Sequence, residues 1–466
     1  MGSLFYKPHD AYAADFIPYY CNGAFQLFYL KDWRNKEAFG EGTPWFLIST
    51  EDLTNFREHG EVIPRGSVEE QDLYIFTGCI IEAAGLYHIF YTGHNPHFVE
   101  QGKPQQAVMH ATSTDLLTWT KIPEHTFYAP ADQYEQDDWR DPYVFWNDEA
   151  GEYWMLLAAR LKEGPSRRRG CTALCVSKDL SKWEVRDPFW TPNQYYTHEC
   201  PDLFKIGDWW YFVFSTFSDR FVTHYRMSKS LKGPWISPPN DTFDNRAFYA
   251  AKTATDGSRR YAFGWNPTRA EEKDEGYWQW GGNLVIHELV QEEDGTLSVR
   301  VPEAVDRAFL QEVPLRISHS RLNLEATDSF ACAIAGQMPV RCKIRAKVAF
   351  ETDTRGCGIM LRTSEDLEQA YYIRMEPHRN RLVFDRWPRA GDVPFSVELE
   401  RPVEFVPGRF NELCIFIDDT VCEVYLNDKI AMSARLYDLK TGNWGVFVHE
   451  GAASFDDLRM FTCDDK

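Results

Sequence analysis

The chain has 466 residues and a formal net charge of −20, from 70 acidic and 50 basic side chains. Its length suits two domains better than a single core. Because the acidic field repels nucleic acid and anionic membranes, we expect neither as a partner. No run of 18 apolar residues predicts a membrane span, and residues 1–10 lack the basic head and apolar stretch of a signal peptide.

The cysteine pattern argues against disulfides and zinc. The 11 cysteines include no CxxC pair, and the 13 histidines include no HxxxH pair. We interpret the cysteines as reduced, mostly buried thiols of a cytoplasmic protein, and we expect neither a metal nor a cofactor. The number of subunits has no sequence signal, so a homo-oligomer stays open.

A short polar segment recurs four times in the first part of the chain. Each copy opens with Ser or Thr, the first three have Asp two residues later, and all end on an aromatic residue. The copies are 50–56, 113–119, 177–183 and, more loosely, 228–235, roughly 50 to 65 residues apart. Because Ser, Thr and Asp side chains bond nearby backbone N–H groups, we interpret this segment, the marker turn, as a turn between strands.

Strand-like runs precede each marker turn, and no amphipathic helix lies between them. Several strands per repeat of this length are typical of the blades of a β-propeller. Residues 248–301 leave room for one more blade, so the sequence predicts five. The strand candidates in that last blade are 261–265, 282–289 and 297–301.

The pattern changes after Pro302. Residues 303–311 resemble a short, charged, helical bridge, and the strands beyond them have no marker turn. Short strands separated by Asp, Asn and Gly turns favour a β-sandwich. We therefore predict an all-β protein, with a five-bladed β-propeller over residues 1–305, a linker over 306–318 and a β-sandwich over 319–466.

Three acidic residues each stand directly before a strand-like aromatic run. Asp141 lies between Arg140 and a proline, Glu199 stands two residues before a proline, and Asp15 lies ahead of the first aromatic strand. Arg140 should keep Asp141 ionised, because an adjacent cation favours the charged form. An isolated Arg–Asp couple would more often be a surface ion pair, but three acids in one kind of setting form a pattern.

Propeller geometry would bring these acids together, because the innermost strand of every blade runs along the central channel. We place Asp15 in the first blade, Asp141 in the third and Glu199 in the fourth, around one axial pocket. Converging carboxylates repel one another, so at least one should have a raised pKa. One protonated and one ionised carboxyl are what cleavage of a glycosidic bond requires.

These motifs resemble those of glycoside hydrolase family 32, the group of invertases, fructanases and sucrose-phosphate hydrolases. Arg140-Asp141-Pro142 resembles its Arg-Asp-Pro motif, Glu199-Cys200 its Glu-Cys motif and Phe76-Thr77-Gly78 its Phe-Ser-Gly segment. The stretch from Trp280 is similar to the closing-blade pattern, and residues 413–427 are similar to the accessory sandwich. The resemblance implies a retaining hydrolase of β-fructofuranosides such as sucrose, fructo-oligosaccharides or fructans.

The resemblance also implies roles for the three acids. Asp15 would attack the anomeric carbon, Glu199 would act as general acid and base, and Asp141 would stabilise the transition state through fructosyl hydroxyls. A retaining mechanism calls for the carboxylates of Asp15 and Glu199 to lie about 5 to 5.5 Å apart, whereas about 9 Å would suggest inversion.

The first motif departs from the family pattern. Where family members carry Asn-Asp-Pro-Asn, this chain has Ala14, Asp15, Phe16 and Ile17, so the flanking amides that touch the sugar are missing. Leu30 stands where Gln is usual. Asp15 can still attack, because attack needs only a carboxylate.

Further side chains near predicted strand ends are candidates for contacts with a small carbohydrate. They are Arg140, Asp32, Trp33, Thr77, His198 and Trp280. For His198 and Trp280, packing in the core is an equally good interpretation.

Other functions stay open at this point. Arabinofuranosidases and xylosidases of related five-bladed families share the same use of three acids. A fructosyltransferase would use the same residues, and a non-catalytic carbohydrate-binding propeller would suit the altered first motif. A sugar substrate or ligand is common to all of these.

Overall fold

A computed structural model describes residues 3–317, 321–389, 397 and 399–463. It confirms the all-β class, with a β-propeller followed by a β-sandwich. The predicted start of the sandwich at residue 319 lies outside the described residues. The helices are α1 (Lys36–Phe39), α2 (Glu303–Arg307) and 3-10 turns at Pro96–Gln101, Pro123–His125, Ala270–Glu272 and Pro377–Arg379. None of the described helices has the length and apolar run that a membrane crossing needs.

The propeller strands form four antiparallel sheets, one of which joins blades 5 and 1 through the pair Ala13–Gly282, so the strands are described as five blades. Blade 1 contains β1 (Tyr12–Cys21), β2 (Ala24–Asp32), β3 (Trp45–Thr50) and β4 (Arg57–Ile63). Blade 2 contains β5 (Tyr74–Ala83), β6 (Leu86–His94), β7 (Gln106–Ser113) and β8 (Thr120–Lys121). Blade 3 contains β9 (Tyr134–Asn147), β10 (Glu152–Leu161), β11 (Gly170–Ser177) and β12 (Glu184–Val185). Blade 4 contains β13 (Glu199–Ile206), β14 (Trp209–Thr216) and β15 (Val222–Ser228), and blade 5 contains β16 (Tyr249–Thr255), β17 (Arg260–Arg269), β18 (Trp278–Gln291) and β19 (Leu297–Arg300).

The first strand of each blade is the innermost one. The strands β1, β5, β9, β13 and β16 each contact the innermost strand of the next blade, and β16 contacts β1, so they close a ring. The chain start fastens this ring to blade 5, because Ala13 pairs with Gly282 and the N–H of Leu284 donates to the carbonyl of Tyr6 at 2.8 Å. The innermost strands therefore surround one central axis.

The marker turns have the hydrogen bonds that their residues predict. In the first three copies the opening hydroxyl accepts a hydrogen bond from the backbone N–H of a leucine three residues on, and the Asp carboxylate accepts two further backbone N–H groups. The leucines are Leu53, Leu116 and Leu180, at 2.8, 3.0 and 2.9 Å, and each has a left-handed backbone. The marker turn therefore ends the third strand of a blade in three successive blades.

The strand β16 was not predicted from the sequence. The other three strands of blade 5 match the predicted segments to within one residue at the end of β19, but Tyr249–Thr255 consists largely of small residues and a lysine, which give no strand pattern. This strand is buried on both sides by its neighbours, so tertiary packing outweighs its weak intrinsic signal.

The C-terminal sandwich is built around one long strand. Its strands are β20 (Phe309–Val313), β21 (Leu322–Gln337), β22 (Arg341–Phe350), β23 (Gly356–Thr363), β24 (Ala370–Glu376), β25 (Arg381–Trp387), β26 (Leu399–Pro402), β27 (Asn411–Asp418), β28 (Val421–Leu426), β29 (Ile430–Arg435) and β30 (Asn443–Cys463). The first half of β30 pairs with β23 and its second half pairs with β22, so this strand passes from one layer to the other. Buried aliphatic and aromatic side chains fill the space between the layers.

The predicted linker over residues 306–318 contains regular structure. The helix α2 ends at Arg307, and β20 pairs with β30 of the sandwich. The five-residue strand, Phe-Leu-Gln-Glu-Val, has no alternating pattern and follows a charged helix, which explains why the sequence suggested a linker. The boundary between the two domains stays a prediction.

A buried polar cluster joins blade 5 to the sandwich. Asp244 Oδ2 lies 3.0 Å from His287 Nε2 and 2.8 Å from Ser433 Oγ, and Ser433 Oγ lies 2.7 Å from Glu423 Oε2. The hydroxyl of Ser433 has one hydrogen, so it can donate to only one of the two carboxyl groups. The second contact therefore requires a proton on Asp244 or on Glu423. Burial and the neighbouring Asp244 raise the pKa of Glu423 well above its ordinary value, and Oε1 of Glu423 has no partner, so the proton belongs to Glu423.

This assignment predicts how stability depends on pH. A raised folded-state pKa means that the native state keeps a proton which the unfolded chain loses above about pH 4.5, so stability falls as pH rises through this window. The Glu423→Gln variant donates a hydrogen bond to Ser433 without titrating. Its stability relative to the wild type should therefore grow from pH 5 to pH 8 by up to about 1.4 kcal/mol per pH unit, as measured by urea unfolding. The exposed Glu412→Gln variant is the control, and an equal change in both variants would refute the assignment.

Candidate active site

All five innermost strands are irregular at the same level of the propeller. The pairing register shifts within β1, β5, β9, β13 and β16 where each meets the second strand of its blade. In four of them a non-glycine residue there has a left-handed backbone, with φ of 47° at Asp15, 57° at Asp141, 51° at Cys200 and 50° at Ala250. A β-bulge changes the direction in which a side chain points. Strained non-glycine conformations of this kind cluster at functional sites.

The bulges correct the expectation that the three acids stand at strand heads. Only Glu199 begins its strand, whereas Asp15 and Asp141 lie inside β1 and β9. Pro142 lies at the bulge of β9, where a proline is tolerated because the ladder hydrogen bond is already broken. The predicted blades are nevertheless the observed ones, namely the first, third and fourth.

The three acids line one pocket of about 320 Å³ on the propeller axis. Its lining residues come from all five blades: Asp15, Leu30, Phe76, Arg140, Asp141, Glu199, Cys200, Phe217, Phe221, Tyr249, Ala250 and Trp280. Residues far apart in the sequence therefore face the same small volume, as the propeller geometry predicts.

Asp15 is held by two donors. Its Oδ2 accepts a hydrogen bond from Thr77 Oγ1 at 2.7 Å, and its Oδ1 accepts one from Trp265 Nε1 at 2.9 Å. Burial raises the pKa of Asp15 to about 7, and Asp141 and Glu199 add to the rise while the two donors oppose it. The carboxyl of Asp15 is therefore close to half ionised at neutral pH and has a fixed orientation.

Asp141 is the most deeply buried of the three acids, with 3% of its surface exposed. Its Oδ2 accepts the backbone N–H of Cys200 at 2.9 Å, and its own N–H donates to Thr92 Oγ1 at 2.7 Å. Burial raises the pKa of Asp141 to about 6, although the adjacent Arg140 opposes this rise. The bulges of blades 3 and 4 are thus joined by one hydrogen bond.

Glu199 accepts a hydrogen bond on each of its two carboxylate oxygens. Its Oε1 accepts from Arg140 Nη2 at 3.1 Å, and its Oε2 accepts from the hydroxyl of Tyr249 at 2.5 Å. Arg140 also forms an ion pair with Asp138 and lies 3.9 Å from Asp141 Oδ2. One guanidinium therefore spans two of the three acids and orients Glu199 towards the pocket.

The structure divides the predicted substrate-binding residues into two groups. Arg140 and Trp280 line the pocket. Thr77 lies behind Asp15, buried and bonded to it, so it positions the carboxylate rather than lining the cavity. Asp32 Oδ1 accepts a hydrogen bond from the backbone N–H of Arg34 at 2.8 Å, and Trp33 stacks on the ring of Phe39. Neither residue lines the pocket.

His198 is a packed residue, not a sugar contact. It is fully buried among aromatic rings, with its Nδ1 3.0 Å from Thr172 Oγ1. Burial lowers its pKa to about 3, so it is neutral at physiological pH. Its ring packs against Trp190 and Phe214 and is absent from the lining of the pocket.

Several lining residues were not predicted from the sequence. Tyr249 is the most important of them, because it bonds Glu199, and it stands at the start of the unrecognised strand β16. Phe221 stacks on Tyr249 with ring centroids 3.9 Å apart, and Phe217 lies in the same loop between blade strands. The aromatic pair Phe248-Tyr249, at the start of the stretch left over for the fifth blade, was the available signal for Tyr249.

One group of described residues outside the pocket is close enough to hold a cation. Ligand atoms of Asp244, His287 and Glu423 lie within 4.8 Å of one another. This group is the cluster between blade 5 and the sandwich, where Ser433 and a proton on Glu423 already account for the short contacts.

Comparisons with known proteins find similarity over nearly the whole chain. Residues 8–299 match the family model "Glycosyl hydrolases family 32 N-terminal domain", and residues 311–462 match "Glycosyl hydrolases family 32 C terminal". The raffinose invertase of Escherichia coli is 23% identical, over 90% of this chain and 85% of that protein. The levanbiose-producing levanase of Bacillus subtilis is 22% identical, over 95% and 87% of the two chains. The structure of sucrose-6-phosphate hydrolase from Lactobacillus gasseri superposes with a TM-score of 0.77 at 18% identity, covering 99% of this chain and 93% of that chain.

The hydrogen bond from Thr77 to Asp15 can be tested by titration. Because this donor favours the ionised carboxylate, Thr77→Val should raise the pKa of Asp15 further above about 7. The pKa can be read from the ¹³C shift of the Asp15 carboxyl, assigned by its loss in Asp15→Asn. Thr120→Val, on the exposed strand β8, should leave the pKa unchanged. A pKa that stays at or below the wild-type value in Thr77→Val would contradict the proposed effect.

Proposed function

The chain belongs to glycosyl hydrolase family 32, and we propose that Asp15, Glu199 and Asp141 are its catalytic carboxylates. The protein is a retaining glycoside hydrolase that acts on β-fructofuranosides. One observation carries the assignment of the residues: carboxylates from blades 1, 3 and 4 line a single axial pocket. Sucrose and short fructans are the substrates with which we propose to test it.

Glu199 is proposed as the general acid. It would give its proton to the oxygen of the leaving group as the bond from that oxygen to the anomeric carbon breaks. The hydroxyl of Tyr249 and the guanidinium of Arg140 fix the carboxyl plane of Glu199, and because both donate to it they suit the later step, in which its carboxylate acts as the base. A positioned acid of this kind typically contributes 10²- to 10⁴-fold to the rate, on the order of 3 to 5 kcal/mol.

Asp15 is proposed as the nucleophile. One of its oxygens would bond to the anomeric carbon as the leaving group departs, which gives a glycosyl ester. Water would then attack the same carbon, with Glu199 taking the proton of the water, and Asp15 would leave as a carboxylate. The donors Thr77 and Trp265 support this role, because they hold the carboxylate in one orientation and favour its ionised form.

Asp141 and Arg140 are proposed to bind the sugar as positive charge develops on it. Asp141 Oδ2 is engaged by the N–H of Cys200, so Oδ1 remains to accept a hydrogen bond from a sugar hydroxyl. A buried carboxylate at this place also stabilises the cation-like transition state electrostatically. Its geometry is fixed by the bulge and does not need to reorganise during the reaction.

We also propose a cytoplasmic location for the protein. Ten of the cysteines, from Cys21 to Cys422, are free thiols, and most of these are buried. Cys171 and Cys175 lie in one strand four residues apart without bonding. Such a set of free thiols suits a reducing compartment.

The role of Glu199 predicts a specific kinetic defect. Glu199→Gln removes the proton but keeps a partner for Tyr249, so kcat with sucrose should fall 10²- to 10⁴-fold while the Kd for sucrose changes little. Steady-state kinetics and calorimetric titration measure the two quantities. Glu184→Gln, an exposed residue of blade 3, should behave as the wild type. If Glu199→Gln retains wild-type kcat, Glu199 is not the acid.

The raised pKa of Asp15 predicts a pH profile for the enzyme. Attack needs the ionised carboxylate, and a carboxyl with a pKa of about 7 takes up a proton below that pH. We therefore expect kcat/KM to fall as pH decreases below about 7, approaching tenfold per pH unit. A kcat/KM that stays constant from pH 7 down to pH 5 would rule out either the raised pKa or the role of Asp15.

A further inference from the structure

The bulge of β13 begins at Glu199 and leaves two residues outside the sheet. The pairing of β13 with β14 passes from Glu199 directly to Asp202, so Cys200 and Pro201 stand outside the ladder. Pro201 has no N–H, and the residue is buried. A buried carbonyl that has left the ladder needs a partner from elsewhere in the protein.

Lys252 of blade 5 is that partner. Its Nζ donates a hydrogen bond to the carbonyl of Pro201 at 2.8 Å and lies 5.2 Å from the ring centroid of Tyr143 in blade 3. The lysine is 2% exposed. Its ammonium group therefore lies where the innermost strands of blades 3, 4 and 5 meet.

The bulge is thus held by an acid on one side and a base on the other. The carboxylate of Asp141, from blade 3, accepts the N–H of Cys200 at 2.9 Å. The ammonium of Lys252, from blade 5, donates to the next carbonyl, that of Pro201. Each partner carries the charge that suits the backbone group it contacts.

Blade 5 contacts the general acid in a second way. In β16 the register shifts between Tyr249 and Lys252, so these two residues flank its bulge. Tyr249 donates to the carboxyl of Glu199, and Lys252 donates to the backbone two residues further on. One strand therefore holds both the side chain of Glu199 and the bulge to which it belongs.

The charge of Lys252 also acts on Asp141. A buried ammonium is costly unless nearby charges or dipoles offset the loss of water. Burial raises the pKa of Asp141 to about 6, while Arg140, the N–H of Cys200 and Lys252 all oppose the rise. Lys252 therefore favours the ionised form of the carboxylate that holds the other side of the bulge.

We propose that Lys252 is a positioning residue for the general acid, because its ammonium group holds the bulge of β13 and thereby fixes the direction of Glu199. Lys252 does not line the pocket, so it acts through the bulge and not on the substrate. The inference rests on the proposed role of Glu199.

Two leaving groups test this role. The leaving oxygen of sucrose needs a proton, whereas β-fructofuranosyl fluoride loses fluoride without an acid, so a misplaced acid slows the hydrolysis of sucrose more. In Lys252→Met the ratio of kcat/KM for sucrose to kcat/KM for the fluoride should fall about tenfold or more. Because the ratio is taken within one protein, a loss of folded protein cancels. An unchanged ratio would overturn the proposal.

Lys343→Met is the matched control. Lys343 is likewise buried, at 4% exposed, and donates to a backbone carbonyl, that of Asp306, at 2.8 Å, but it lies in the sandwich. Its loss should leave the ratio unchanged. An equal fall in Lys252→Met and Lys343→Met would be a general effect of removing a buried lysine, and it would overturn the proposal.

A second variant separates the hydrogen bond from the charge. Lys252→Gln offers a neutral donor to the carbonyl of Pro201, so its ratio should stay closer to the wild type than that of Lys252→Met. The pKa of Asp141 should rise above about 6 in both variants, since both lack the cation. The ¹³C shift of the Asp141 carboxyl, assigned by its loss in Asp141→Asn, measures this pKa. A pKa at or below the wild-type value would contradict the inference.

Glu199→Gln separates this inference from the proposed function. If Glu199→Gln itself leaves the ratio unchanged, the assignment of the acid fails, and the inference falls with it. If Glu199→Gln lowers the ratio and Lys252→Met does not, the acid stands and the role of Lys252 fails.

Discussion

The site depends on one backbone constraint, which is the set of bulges at the same level of the five innermost strands. A regular strand would send alternate side chains into the blade and leave few of them facing the axis. At the bulges of β1 and β9, Asp15 and Asp141 adopt a left-handed backbone that costs of order 1 to 3 kcal/mol each. The closed ring of strands and the hydrogen bond from Cys200 to Asp141 hold these conformations in place.

The raised pKa values of the catalytic carboxyls follow from that geometry. Three carboxyls in a small, largely apolar volume cannot all ionise freely, so burial raises the pKa of Asp15 and of Asp141. Arg140 limits the effect by bridging Asp141 and Glu199. The reactivity of the site therefore has the same physical origin as its geometry, namely the burial of three carboxyls around one pocket.

The sequence predicted the propeller, the sandwich and the blades that carry the three acids. The propeller was recognisable because the marker turn repeats with Ser, Thr and Asp side chains that bond backbone N–H groups. It failed where local signals are weak. The strand β16 lacks an apolar pattern, so Tyr249 escaped notice, and the bulges have no sequence signature, so Asp15 and Asp141 were placed at strand heads. Proximity to Glu199 in the sequence did not place His198 in the pocket, because its ring is buried against Trp190 and Phe214.

The most direct test of the three-acid site is to capture the intermediate. Glu199→Gln should accumulate a glycosyl ester from β-fructofuranosyl fluoride, because fluoride leaves without an acid while the second step still needs a base. After an acid quench, peptide mass spectrometry should find a hexosyl group on Asp15. A hexosyl group on another residue, or an inverted product formed without any ester, would contradict the account.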